Sequence, residues 1–147
     1  MSYILAIDTS SNYCSASVVS KNNILADSYV ENKKHQYDVI FSQINKVLKK
    51  CNLSIEDIDG YGVCIGPGNF TGIRISLSII KGISFASGKP AIGISAFECL
   101  AFPYRTCSVI IKGGKDYIFT QTFKKNVSVN KPKMIKCDNI KNFEKLN

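Results

Sequence analysis

The chain has 147 residues, of which 45% are hydrophobic and 20% charged, and a formal net charge of +8. This composition excludes wholesale disorder, and the length admits one ordinary domain or one lobe plus part of another, but not two full lobes. The opening MSYILAIDTSSNYC lacks a basic n-region and no run approaches the roughly 20 apolar residues that span a bilayer, so a cytoplasmic protein without membrane contact is expected.

The charge is unevenly placed. From Lys112 onward nine Lys stand against Asp116, Asp138 and Glu144, which leaves +2 for the first 111 residues. A Lys-rich tail of this kind either is solvated or contacts phosphate backbones without sequence preference. The cysteines Cys14, Cys51, Cys64, Cys99, Cys107 and Cys137 form no C-x-x-C pair, so they read as reduced thiols packed as small apolar residues.

Tyr3–Asp8 is a short apolar run ending in the polar turn Asp8-Thr9-Ser10-Ser11, the pattern of a buried strand. Strands over 14–20 and 24–30, joined by Lys21-Asn22-Asn23, complete an antiparallel meander. A helix is predicted over 34–51. At 100° per residue, Val47, Ile40, Cys51, Ile44, Tyr37, Leu48 and Phe41 share an arc of about 120°, with Gln43, Lys46, Lys49 and Lys50 outside it. Ser54-x-x-Asp57 resembles a capping box, and Tyr61 to Ile65 reads as a buried strand.

Gly66-Pro67-Gly68-Asn69-Phe70-Thr71-Gly72 leads into a helix predicted over 73–87, and Pro90 to Ser95 supplies the next strand, in parallel after the crossover. The turn is not a P-loop, because Gly72 is followed by Ile73-Arg74 rather than Lys and Ser or Thr. It either cradles an anion on backbone amides or serves the fold. In the second case Gly66 and Gly68 allow unusual backbone angles, Thr71 or Asn69 caps the helix, and Gly72 permits close helix–sheet packing. A short helix over 96–102 and strands over 107–112 and 117–123 follow, and 124–147 carries little pattern.

The helix over 73–87 has two apolar stripes: Ile73, Leu77 and Ile80, and Ile75, Ile79, Ile83 and Ala86. One sheet needs an apolar arc of about 100° or somewhat more, so one stripe is surplus. Leaving three Ile-sized side chains in water forfeits about 1.5–3 kcal/mol each, so the first helix or a partner is expected to cover them. The small residues Ser76, Gly82, Ser84 and Ala86 would allow another helix to approach closely. The expected partner interface comprises Ile40, Ile44 and Val47 of the first helix with Ile75, Ile79, Ile83 and Ala86 of the second.

The segments ILAIDTSSNYCSASVV, CIGPGNFTGIRISLSIIKGISFA and KPAIGISAFECLA together resemble the TsaB family, bacterial relatives of the TsaD family within the actin, hexokinase and Hsp70 superfold. The resemblance implies an α/β lobe of the actin-like ATPase, ribonuclease H-like type over 1–105, with a mixed five-stranded sheet and flanking helices. A shortened second lobe, a hairpin and Lys-rich tail, follows over 106–147. The implied role lies in making N6-threonylcarbamoyladenosine on tRNA. TsaC forms threonylcarbamoyl-AMP, TsaD transfers the group, TsaE is an ATPase, and TsaB supports TsaD without performing the transfer.

TsaD-type proteins carry two metal-binding histidines four residues apart, and the matching positions here are Ala96 and Leu100, which have no donor atom. The lone His35 has no Cys or second His nearby. Asp8 matches the acidic residue that helps hold metal–nucleotide in sugar kinases, and is either a remnant of that site or, with Thr9, a cap on the first strand. The expectation is a non-catalytic subunit without a cofactor, binding TsaD as a heterodimer together with TsaE and meeting tRNA only through the complex. The alternatives are an ATP-dependent enzyme and a homodimeric module with no tRNA role.

Overall fold

A computed structural model of the chain describes residues 2–21, 23–31, 36–113 and 116–136, with the backbone alone for 36–38. His35, Cys137 and the first two residues of the predicted first helix lie outside the described residues. Two units pack separately, Met1–Ile94 and Ser95–Asn147.

The first unit is a five-stranded mixed sheet in the order β3-β2-β1-β4-β5. Its strands are β1 (Tyr3–Asp8), β2 (Tyr13–Ser20), β3 (Asn23–Glu31), β4 (Gly60–Cys64) and β5 (Ala91–Ile94). The meander β1–β2–β3 is antiparallel, whereas β4 joins β1, and β5 joins β4, in parallel. Alternation fixes the register: Leu5, Ile7, Cys14, Ala16 and Val18 point to one face and are buried there.

Helices α1 (Gln36–Lys50) and α2 (Phe70–Ser87) pack into that same core. α1 ends where Asn52 takes a left-handed φ of 53° and the Leu53 amide donates to the Leu48 carbonyl at 3.0 Å. α2 ends at Gly88, whose φ is 67°. Between α1 and β4 a single 3₁₀ turn (Ile55–Asp57) is closed as its capping pattern indicates. The Asp57 carboxylate accepts from the Ser54 amide at 2.8 Å and hydroxyl at 2.7 Å, and these bonds hold its pKa below the usual carboxylate value.

The apolar arc of α1 is rotated by about 30° from the one the sequence indicates. Gln43, expected outside, is buried, and Phe41, expected inside, is 51% exposed. Gln43 enters the core because it is bonded there. Its Oε1 accepts from the Ser28 hydroxyl at 2.6 Å, and its Nε2 donates to the Val39 carbonyl.

The second unit holds α3 (Ala96–Ala101), β6 (Thr106–Lys112), β7 (Tyr117–Lys124), β8 (Val127–Ser128) and β9 (Lys133–Lys136). β7 pairs antiparallel with β6, β8 and β9, so the segment expected to lack pattern contributes two strands. The division after Ile94, rather than after 105, follows from packing. Phe97 and Ala101 of α3 share a core with Val109 and Phe123 of this sheet. Cys51, Cys64 and Cys107 are free thiols. No described helix is long and apolar enough to cross a membrane.

Candidate functional site

Two features of the first unit carry the residues singled out by sequence: the glycine turn before α2 and the flank of α1 and α2. The glycine turn is locked to the end of β1. The Asn69 amide donates to the Ser10 carbonyl at 2.6 Å, and the buried Thr9 hydroxyl donates to the Gly72 carbonyl at 2.6 Å. A Cβ at Gly68 would overlap the Ser10 carbonyl oxygen, so only glycine lets the two backbones meet. Gly66 has a φ of 91°, and a Cβ there would lie 2.7 Å from Ile73 Cδ1.

One amide of this turn is taken up within the chain. Asn69, not Thr71, caps α2: its Oδ1 accepts from the Gly72 amide at 3.0 Å, occupying the place a phosphate oxygen would take. Thr71 is exposed. Asp8 is half-buried at the end of β1, where its Oδ1 accepts from the Ser10 amide at 2.7 Å, the strand-capping geometry. Beside it, the Cys64 thiol lies 3.4 Å from the Ser10 hydroxyl, and burial raises its pKa, which keeps it protonated.

On the helical flank the structure separates residues that the sequence groups together. Ile40, Ile44 and Val47, expected at a partner interface, are 0%, 4% and 0% exposed and pack in the core beneath α1. They face the sheet and are unavailable to a partner. The sheet-facing line of α2 is Gly72, Ser76 and Ile80. Ser76 is therefore not a notch for another helix: its hydroxyl donates back to the Ile73 carbonyl at 3.1 Å. Ile75, Ile79 and Ile83 are half-buried against the core, while Ala86 is exposed.

What remains open is a groove of about 450 Å³ lined by Phe41, Phe70, Thr71, Arg74, Ile75, Ser78 and Ile79. Phe70 is 66% exposed, and the Arg74 guanidinium sits 3.9 Å above its ring centroid. Phe41, Phe70 and Arg74 lie outside the interface expected from the sequence. The i, i+4 spacing of Phe70 and Arg74 was a usable signal for one of these contacts. Ala96 is buried and Leu100 exposed on α3, and neither side chain carries a metal-donor atom.

Residues 23–144 match the family model of tRNA N6-adenosine threonylcarbamoyltransferase, TsaD. The tRNA threonylcarbamoyladenosine biosynthesis protein TsaB of Buchnera aphidicola is 40% identical over 99 residues, covering 67% of this chain and 46% of that protein. A tRNA N6-adenosine threonylcarbamoyltransferase of Clostridium botulinum is 34% identical over 112 residues, covering 65% of this chain and 33% of the enzyme. The chain thus spans less than half the length of these curated relatives. The solved structure of YeaZ from Pseudomonas aeruginosa superposes with a TM-score of 0.81 at 20% identity, covering 92% of this chain and 68% of that one, which shows the fold. With an actin-like α/β sheet and this sequence match, the chain belongs to the TsaD family and within it is TsaB/YeaZ-like.

Proposed function

We propose that the chain is a non-catalytic partner subunit in tRNA threonylcarbamoyladenosine biosynthesis, docking a TsaD-type transferase through the groove between α1 and α2 and working together with TsaE. The observation that carries this reading is the groove itself, where Phe41 and Phe70 stand 51% and 66% exposed beside Ile75 and Ile79. Covering such side chains with a partner contributes about 1.5–3 kcal/mol for each one fully buried. Two further features favour a subunit over an enzyme. Asn69 of the glycine turn caps α2, Asp8 caps the end of β1, and the positions that match the family's metal-binding histidines hold Ala96 and Leu100.

The test is co-purification with TsaD and reconstitution of tRNA modification with and without this chain. Phe41→Asp is expected to abolish capture of TsaD while leaving the melting temperature nearly unchanged, because Phe41 is half in water already. Ile75 and Ile79 are less suitable, since both also pack against the core. Undiminished capture by Phe41→Asp, or modification equally fast without the chain, overturns the reading. Capture of a second copy of this chain in place of TsaD would assign the groove to a homodimer instead.

A further inference from the structure

In the second unit the odd-numbered residues of β6 and β7, among them Val109 and Phe123, face α3 and form its core. Alternation then puts the even-numbered residues on the opposite face. Register aligns them into cross-strand rows: Thr106 beside Lys124, Ser108 beside Thr122, Thr120 between Ile110 and Lys133, and, at the far end, the buried Ile118 between Lys112 and Ile135. The Ser108 and Thr122 hydroxyls lie 3.0 Å apart and are exposed. Lys125 continues this edge in the turn after β7, and Lys131 precedes β9. The described residues of this unit contain seven Lys and Arg but only two carboxylates. Of these, Glu98 accepts from the Ser95 amide at the start of α3, and Asp116 lies before β7.

We propose that this hydroxyl-and-lysine face contacts the phosphodiester backbone of RNA directly. Lys ammonium groups with Ser and Thr hydroxyls are the side chains that bind phosphate oxygens without reading bases. Arg forks match phosphate and carboxylate alike, so competition rather than composition separates RNA from an acidic peptide. Successive same-face residues repeat every ~6.8 Å along a strand, comparable to the step between phosphates of an extended RNA strand. The inference goes beyond the partner reading, in which tRNA is met only through the complex, and does not depend on the groove.

The experiment is fluorescence anisotropy of the full chain with a labelled, unmodified tRNA transcript over a range of salt concentrations. Binding should weaken linearly with the logarithm of salt. The triple variant Lys124→Glu, Lys125→Glu, Lys133→Glu should lose affinity by about tenfold or more and flatten the slope by about 0.7–0.9 per lysine. A control triple, Lys46→Glu, Lys49→Glu, Lys81→Glu, makes the same charge change on the exposed helical surface of the first unit and should stay within about threefold of the parent. Should charge reversal lower the melting temperature, the corresponding Lys→Gln triple is measured in its place. Equal losses in the two triples, competition by poly-glutamate as effective as by tRNA, or no binding at low salt overturns the proposal. Capture of TsaD by the lysine triple should persist, and its loss together with RNA binding overturns the assignment of this face to RNA.

Discussion

Replacing Gly68 by alanine is expected to destabilise the first unit by about 1–3 kcal/mol, the usual range of overpacking. The added Cβ would overlap the Ser10 carbonyl oxygen and approach Ser10 Cβ to 3.0 Å, so the β1–β2 turn and the glycine turn must separate. Separation strains the Asn69-to-Ser10 bond and the buried Thr9-to-Gly72 bond together, which is why the cost exceeds that of a lone contact. Gly82→Ala is the matched control. Nothing lies within 4 Å of its added Cβ, and it sits in the interior of α2. There the substitution is expected to stabilise by about 0.5–1 kcal/mol through helix propensity. Urea unfolding of both variants measures the difference, and a Gly68→Ala protein within about 0.5 kcal/mol of the parent would refute the close-approach account.

A second large effect separates the two sides of α1. Ile40 is fully buried in the core, so Ile40→Ala is expected to cost about 2–5 kcal/mol, from lost transfer energy and the cavity left behind. Its neighbour Phe41 carries the opposite signature in the proposed docking role: little change in stability and loss of the partner. Measuring melting and TsaD capture on both variants gives a double dissociation. An Ile40→Ala protein that melts like the parent yet fails to bind would return Ile40 to the interface where the helical wheel placed it.

These two residues also show what the sequence could and could not disclose. Strand alternation at Leu5, Ile7, Cys14, Ala16 and Val18 is a local property, so β1 and β2 were legible to within a residue. The direction of α1 was less so. A wheel reports which arc is apolar, but the buried Gln43 enters the core by bonding Ser28 of β3, a pairing that periodicity cannot register. The same limit explains the interface assignment. Ile40, Ile44 and Val47 form a conspicuous stripe because the core needs them, whereas the groove is built from the margins of two helices that are remote in sequence. β8 and β9 were missed for a related reason. Lys133–Lys136 has charged ends and little apolar patterning, and its strand character comes from pairing with β7. The glycine turn is legible in sequence as the lead into a helix, but its decisive contact, Gly68 against Ser10, spans two loops and exists only once they are folded together.

The placement of β1 has a consequence for how the first unit opens. It lies at the centre of five strands, hydrogen-bonded to β2 on one side and β4 on the other, with Leu5 at 0% and Ile7 at 3% exposure. Its amides reach solvent only when the whole lobe comes apart, whereas β3 and β5 at the rims are released by local fraying. In deuterium exchange β1 should therefore be the slowest segment of the sheet, its protection factors reporting global stability. Faster exchange in β1 than in β3 would mean that the sheet opens from its middle.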